Sequence, residues 1–576
     1  MKRFTFGTPE KLVPSMFCDG FCYTETKVDY PASNFSCRQT ARGFLVEFPI
    51  ENDCHIFGFG LQLKQFDHRG RKLRLDVNAD PVTNNGETHA PVPFFVTNKG
   101  YGMYFDTARY AEFTCGKQKN GSSVALSDGG AADNTDELYA VRRDADAVMS
   151  VLIPAVQGID IYVFEGETIT DIVKQYNMLS GGGCDVPEWG LGMLYRCYTG
   201  WDSERIVQTG DYFRENDIPC SIIGLEPGWQ THAYSCTYVW SDRYPDPDGF
   251  IKALTERGYH INLWEHAFTH PSSPIYNDIA AHSGDYLVWG GAVPDFADPA
   301  AREIFAGYHK NALVEHGIDG FKLDECDSSD NTGSWSFPLH SSFPSGLDGE
   351  QYHSLMGTLY AKTIMQALDG RPTLSSIRQM GALAAPYPFV LYSDLYDHRD
   401  FIRGVVNSGF SGILWTPEFR QAQNREECIR RVQAIVFSAQ CLVNAWYYDG
   451  IPWVEHGCEE EVRELLKLRE SLIPKLKKAF DEYHETGKPP IRALVMDYTN
   501  DEATYSIDDQ WMFCDDILVA PIAANSGDER DVYLPVGSKW VDYFTGEEVS
   551  GGWHHVNTKG IPVYRRRDAA SSNRAV

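Results

Sequence analysis

The sequence has no apolar run near the roughly 18 residues that a membrane-spanning helix needs. Its start, MKRFTFGTPEKLVPSMF, is basic at Lys2 and Arg3 but has no apolar stretch of signal-peptide length. The 14 cysteines include no C-x-x-C pair, so a zinc site is not indicated. Without a leader they read as reduced core residues, and the expected location is the cytoplasm. Positive charge is scarce: 51 Lys and Arg face 80 Asp and Glu, a net charge of −29. That argues against nucleic acid as a partner, because phosphate contacts need a basic surface. Nothing points to a membrane, and the oligomeric state is left open.

Hydrophobic residues make up 43% of the 576, too many for a disordered chain. Aromatics reach 13%, most of which a large core would absorb. A second use for flat, half-apolar rings is stacking against sugars.

Three regions differ in pattern. Residues 1–185 alternate in short runs such as Phe44–Phe48 and Phe57–Leu63, which predicts an antiparallel β-sandwich. Residues 186–487 alternate apolar strands with long helical segments, which predicts βα units, with a small insertion at 328–349. Short strands return over 488–564, a second β-sandwich, and 565–576 reads as a polar tail.

In the middle region five apolar runs end on an acid. Cys220–Leu225 precedes Glu226, Ile261–Trp264 precedes Glu265 and Phe321–Leu323 precedes Asp324. Phe389–Ser393 precedes Asp394, and Ile413–Pro417 precedes Glu418. If these are strands of a (β/α)8 barrel, the acids share the rim on which barrel active sites are built. A single acid after a strand is more often a helix cap. Five in register predict one acidic pocket. Glycoside hydrolysis uses two carboxyls in this way, one ionised and one protonated. Carboxylate clusters also hold divalent cations. Trp229, Trp264, Tyr392 and Trp415 lie beside the acids and suit a sugar better than a metal. His266 and His270 are near the same rim, but two histidines do not make a site. No cofactor is implied.

The chain resembles glycoside hydrolase family 31. The segments that carry the resemblance are GRKLRLDVNAD with PVPFFVTNKGYGMYFDT, DFADPAAREIF with HGIDGFKLDECD, and IRALVMDY with ILVAPIAA and RDVYLPVGSKWVDYFTGE. They run in family order over nearly the whole length. The resemblance implies a barrel between two β-sandwiches and a retaining, exo-acting α-glycosidase acting on a small oligosaccharide or glycoside. It places the nucleophile at Asp324 and the acid/base at Asp394, and a substrate-binding arginine at Arg378, sixteen positions before Asp394. Glu226, Trp229, Trp264, Glu265, Lys322, Trp415, Glu418 and Asn444 are candidate substrate contacts, with Cys197 shaping the pocket. Lys322 shares a strand face with Asp324 and reads equally as an interior salt bridge.

Departures from the family pattern fall on the groups that read hydroxyls. GLEPGW puts Glu226 where an Asp is usual, WTPEFR leaves Glu418 as the nearest acid, and Asn444 stands near a usual His. Pro386 replaces a second arginine, and Asp327 replaces the Glu that trails the nucleophile. These changes, with the FKLDECD wording, make α-galactoside the first expectation. α-Glucoside, α-xyloside and α-N-acetylgalactosaminide cleavage or transglycosylation are the alternatives, and a non-catalytic sugar-binding relative stands behind them.

Overall fold

The computed structural model describes residues 1–118, 147–330 and 335–567. Part of the expected insertion (331–334) and most of the expected tail (568–576) lie outside the described residues. The eight strands of the central sheet are β1 (Met193–Arg196), β2 (Ile222–Leu225), β3 (His260–His266) and β4 (Gly320–Asp324), then β5 (Ser375–Ile377), β6 (Phe389–Leu391), β7 (Leu414–Trp415) and β8 (Cys441–Asn444). All seven neighbouring pairs are parallel, with β8 returning to pair with β1. The circle closes through a parallel bridge between Phe419, just past β7, and Val443 on β8. This is the (β/α)8 barrel that the alternation of strands and helices predicts.

Side-chain parity follows from the pleat. Asn262 on β3, Lys322 on β4 and Arg196 on β1 meet inside the barrel. Arg196 Nη1 donates to Asn262 at 2.6 Å, and Arg196 and Lys322 both reach Glu226 beyond β2. Gly224 on β2 makes room for this: a Cβ there would stand 2.9 Å from Arg196 Cγ. A small apolar layer of Leu194, Ile222, Tyr392 and Leu442 packs as a separate cluster.

The N-terminal region is two five-stranded antiparallel sheets. One runs Lys2–Thr8, Gln157–Glu165, Tyr101–Phe105, Pro91–Thr97, Ile56–Gly60. The other runs Ser36–Gln39, Gly43–Ile50, Ala147–Pro154, Ala111–Gln118, Lys72–Leu75. Their alternating apolar residues, among them Val46, Phe48, Phe59, Phe95, Met103 and Phe113, form one buried layer. The C-terminal region has a six-stranded and a two-stranded sheet over a core that includes Met512, Leu518 and Trp540.

Several details were not legible from the pattern. A helix, Ile169–Leu179, follows the sandwich and is N-capped by Thr168 through a capping box with Asp171. A hairpin, Ser283–Val288 with Gly291–Pro294, is inserted between β3 and the helix Pro299–Ala312. Residues 565–567, expected in the tail, belong to the strand Val563–Arg567, which pairs on both sides. All fourteen cysteines are unpaired and ten are buried.

The 28-residue helix Glu459–Thr486 is bolted beneath the barrel by Arg469. This fully buried guanidinium donates to the backbone carbonyls of Leu191, Val436, Ser438 and Ala439 at 2.7–3.3 Å. Arg469→Met would orphan four buried acceptors. We expect a loss of about 3 kcal/mol or more, seen as a calorimetric midpoint lower by several degrees; an unchanged midpoint would show that the carbonyls find other donors.

Candidate functional site

Arg378, two residues along the pleat from the inward Ser376, projects over the C-terminal rim of the barrel and is buried. Three carboxylates surround it. Its Nε lies 3.2 Å from Asp327 and 3.7 Å from Asp324, and its Nη1 lies 3.3 Å from Asp394. Asp324 ends β4 and also accepts the Trp264 indole N–H at 2.7 Å. The next residue, Glu325, has φ +56° and returns its N–H to Asp324 Oδ1 at 3.0 Å. A left-handed, non-glycine residue at this point is the kind of strain that collects at functional sites.

The carboxylates differ in exposure. The Asp324 side chain is 14% exposed and that of Asp394 is 55% exposed. Burial, the largest influence, pushes Asp324 above its ordinary value against the pull of Lys322 and Arg378. Arg378 holds Asp394 below its ordinary value, against partial burial. Burial would raise Asp327, but Arg378 and the His89 hydrogen bond outweigh it and hold it low. Arg420 adds a second clamp on Asp394: its Nη1 is 3.3 Å from Oδ1, and its Nη2 donates to the backbone carbonyl at 2.9 Å.

Glu418 is fully buried beside Asn444, whose amide donates to Oε2 at 2.8 Å. Burial pushes Glu418 up to about 7. Several buried polar atoms of this rim have no hydrogen-bond partner among the described residues: Glu418 Oε1, Asn444 Oδ1 and the Tyr392 hydroxyl. Each such group costs roughly 1–3 kcal/mol. Their concentration in one place is what a pocket for a polyhydroxylated ligand requires.

The structure brings some of the residues expected from the sequence together and leaves others apart. Asp324, Arg378, Asp394, Glu418, Asn444 and Trp264 come together. Glu226 lies below them with both oxygens engaged, by Arg196 and by Lys322 at 2.9 Å. Lys322 is therefore the interior salt bridge, and it also draws Asp324 down. Trp229 is buried behind the pocket, its indole donating to the Trp264 carbonyl at 2.6 Å. Cys197 is a buried residue just past β1. Glu265 and Trp415 do not join the site. Glu265 has the opposite parity to Trp264 and faces the helices, where Tyr360 and His309 bond it at 2.7 and 3.0 Å. Trp415 likewise points outward and donates to the Phe401 carbonyl. His270 bonds Ser272, and His266 is buried under Trp289.

His89 was not anticipated. It comes from the sandwich, fully buried, and bridges Asp327 and Ser393, the neighbour of Asp394, at 2.8 Å each. Arg420, two residues beyond Glu418, is likewise unmarked by the strand-end pattern. Nothing in local spacing marks His89, because its partners are more than 200 positions away.

Three family models together match most of the chain. The glycosyl hydrolases family 31 TIM-barrel domain matches residues 184–479, the family's C-terminal domain 487–570, and its N-terminal galactose mutarotase-like domain 23–113. The chain belongs to glycoside hydrolase family 31. An α-xylosidase of Emericella nidulans is 26% identical over 90% of this chain and 66% of its own length. Alpha-glucosidase 2 of Bacillus thermoamyloliquefaciens is 25% identical over 90% and 67%. This family 31 chain thus spans about two thirds of the length of these relatives. Among solved structures, the Flavobacterium johnsoniae dextranase complexed with glucose superposes with a TM-score of 0.78. It is 22% identical, over 93% of this chain and 68% of that one, which speaks to the fold.

Glu418 makes stability pH-dependent. Its carboxyl stays protonated to about pH 7 when folded but only to about 4.3 when unfolded. The folded state therefore binds more protons between those values, and stability falls as pH rises through that window. Glu418→Gln should remove a decline of about 4 kcal/mol between pH 4 and 8 in denaturant melts. A variant with the same decline would show that Glu418 is ionised throughout.

Proposed function

We propose that this protein is a retaining, exo-acting α-glycosidase. The observation that carries the reading is the meeting of Asp324 and Asp394 on one buried guanidinium, inside a pocket of unpartnered polar groups. Asp324 attacks the anomeric carbon while Asp394 protonates the departing glycosidic oxygen. The bond to the leaving group breaks as an ester to Asp324 forms with inverted configuration. Asp394, now ionised, takes a proton from water, which attacks the same carbon and releases the sugar with its original α configuration.

In the unliganded enzyme Asp394 is the stronger acid of the two, the reverse of what the first step needs. A bound sugar supplies the correction by covering the half-exposed Asp394, which raises it. In the second step the Asp324 ester carries no charge. The repulsion that favours protonated Asp394 is gone, which suits a base. Arg378, Glu418, Asn444 and the Tyr392 hydroxyl are the groups we assign to the sugar's hydroxyls.

The relatives named as α-xylosidase and α-glucosidase support a gluco- or xylo-configured sugar over the galactose expected from the motif wording. Galactose is retained as a second reading by one feature: Glu418 and Asn444 fill places where the family pattern has other residues, and they are paired with each other.

A panel of nitrophenyl α-glycosides tests both levels. We expect turnover of the α-glucoside or α-xyloside, with α product seen first by NMR, and loss of at least about a thousandfold in kcat/KM for Asp324→Ala. Turnover of the α-galactoside alone would overturn the sugar. Initial β product, or unchanged activity in Asp324→Ala, would overturn the mechanism.

A further inference from the structure

Two of the unpaired cysteines meet. Cys428 lies in the first turn of the helix Arg425–Val436, which leads from β7 to β8, and Cys458 is the N-cap of the helix Glu459–Thr486. Their sulfurs are 3.3 Å apart and both residues are buried. The approach is held by contacts that do not involve sulfur. Arg425, which opens the first helix, donates through Nε to the Gly457 carbonyl at 3.2 Å and pairs with Glu461 in the first turn of the second. The Cys458 N–H donates to the Trp453 carbonyl at 3.0 Å, which fixes the backbone at the cap.

Two helix starts thus face each other, and a helix start favours a thiolate. The hydrogen bond with Cys428, helped by the charge of Arg425, holds the Cys458 thiol below its ordinary value against burial. The same hydrogen bond, with burial, raises Cys428. One sulfur is therefore the nucleophile and the other its protonated partner. Solvent is close by: Gly457 is exposed and lines, with Arg425, Val454 and Glu459, an open cleft of about 540 Å³ beside the cap.

We propose that Cys428 and Cys458 are a redox modification site, which a peroxide closes into a disulfide that staples the last barrel unit to the helix beneath it. The Cys458 thiolate attacks a peroxide oxygen, the O–O bond breaks, and a sulfenic acid forms as hydroxide leaves. The Cys428 thiol then attacks the sulfenic sulfur. An S–S bond forms, the S–O bond breaks, and the departing oxygen takes the Cys428 proton and leaves as water. The two sulfurs together give up two electrons, which the peroxide accepts. The sulfurs need to approach by only about 1.3 Å to reach bonding length. The link closes a loop spanning 30 positions, which contains β8 and Asn444, and so restricts the unfolded chain. In a reducing compartment the pair stays open, and closure marks a rise in oxidant.

The test treats the full-length protein with hydrogen peroxide, alkylates the remaining thiols and maps the peptides by mass spectrometry, with a calorimetric melt in parallel. We expect the peptides carrying Cys428 and Cys458 to be joined, and to separate on adding dithiothreitol. The melting midpoint should rise by several degrees and fall back on reduction. In Cys428→Ala the sulfenic acid on Cys458 lacks its partner, so dimedone should capture it and peroxide should not raise the midpoint. Thiols at both positions that stay free to alkylate, while the exposed Cys22 is oxidised, would overturn the site. Sulfinic acid at Cys458 in the unsubstituted protein, or a link from either sulfur to another cysteine, would overturn it as well. A Cys428–Cys458 link with no rise in midpoint would overturn the staple.

Discussion

One buried guanidinium organises the rim. Arg378 touches Asp324, Asp327 and Asp394, which otherwise could not share so small a volume ionised. Removing a charge from such a cluster is more costly than never having built it. The wider balance follows the same rule. Arg196, Lys322, Arg378 and Arg420 stand against Asp324, Asp327, Asp394 and Glu226. The two further carboxyls, Glu325 and Glu418, are pushed up by burial.

The barrel supplies the precision this balance needs. Arg196 and Lys322 grip Glu226 from β1 and β4, while Asn262 holds Arg196 from β3. That layer fixes the strands directly beneath the reactive rim. His89 then ties the sandwich to two loops of the rim through Asp327 and Ser393. The sandwich is thereby part of the site rather than an appendage. Above the layer, stability is given up: the buried oxygens of Glu418, Asn444 and Tyr392 lack hydrogen-bond partners among the described residues.

The barrel and the two flanking sheet regions were legible from the pattern of apolar runs, because that pattern records burial. The carboxylates at strand ends were legible because a rim is a property of topology. Parity was the part misjudged. Glu265 stands one residue from Trp264, and in a strand one residue changes the face; Trp415 likewise turns its indole outward to the Phe401 carbonyl. Reading strands by their last apolar residue put Glu265 inside the pocket, whereas β3 runs on to His266 and turns it outward. His89 and Arg196 were not legible at all, since their meaning lies in partners brought close only by folding. The identity of the sugar is carried by a few hydroxyl contacts, Glu418 and Asn444 among them, and motif wording weighed these differently from the named relatives.

The central claim is that Asp324 forms a bond to the sugar. The most direct measurement is to treat the enzyme with a 5-fluoro-α-glycosyl fluoride of the accepted sugar, which slows breakdown of the ester, and to map the label by peptide mass spectrometry. The account predicts one added fluorosugar per chain on the peptide containing Asp324, formed in step with loss of activity and absent in Asp324→Ala. A label on Asp394 or on any other carboxylate, or inactivation with no covalent adduct, would contradict it.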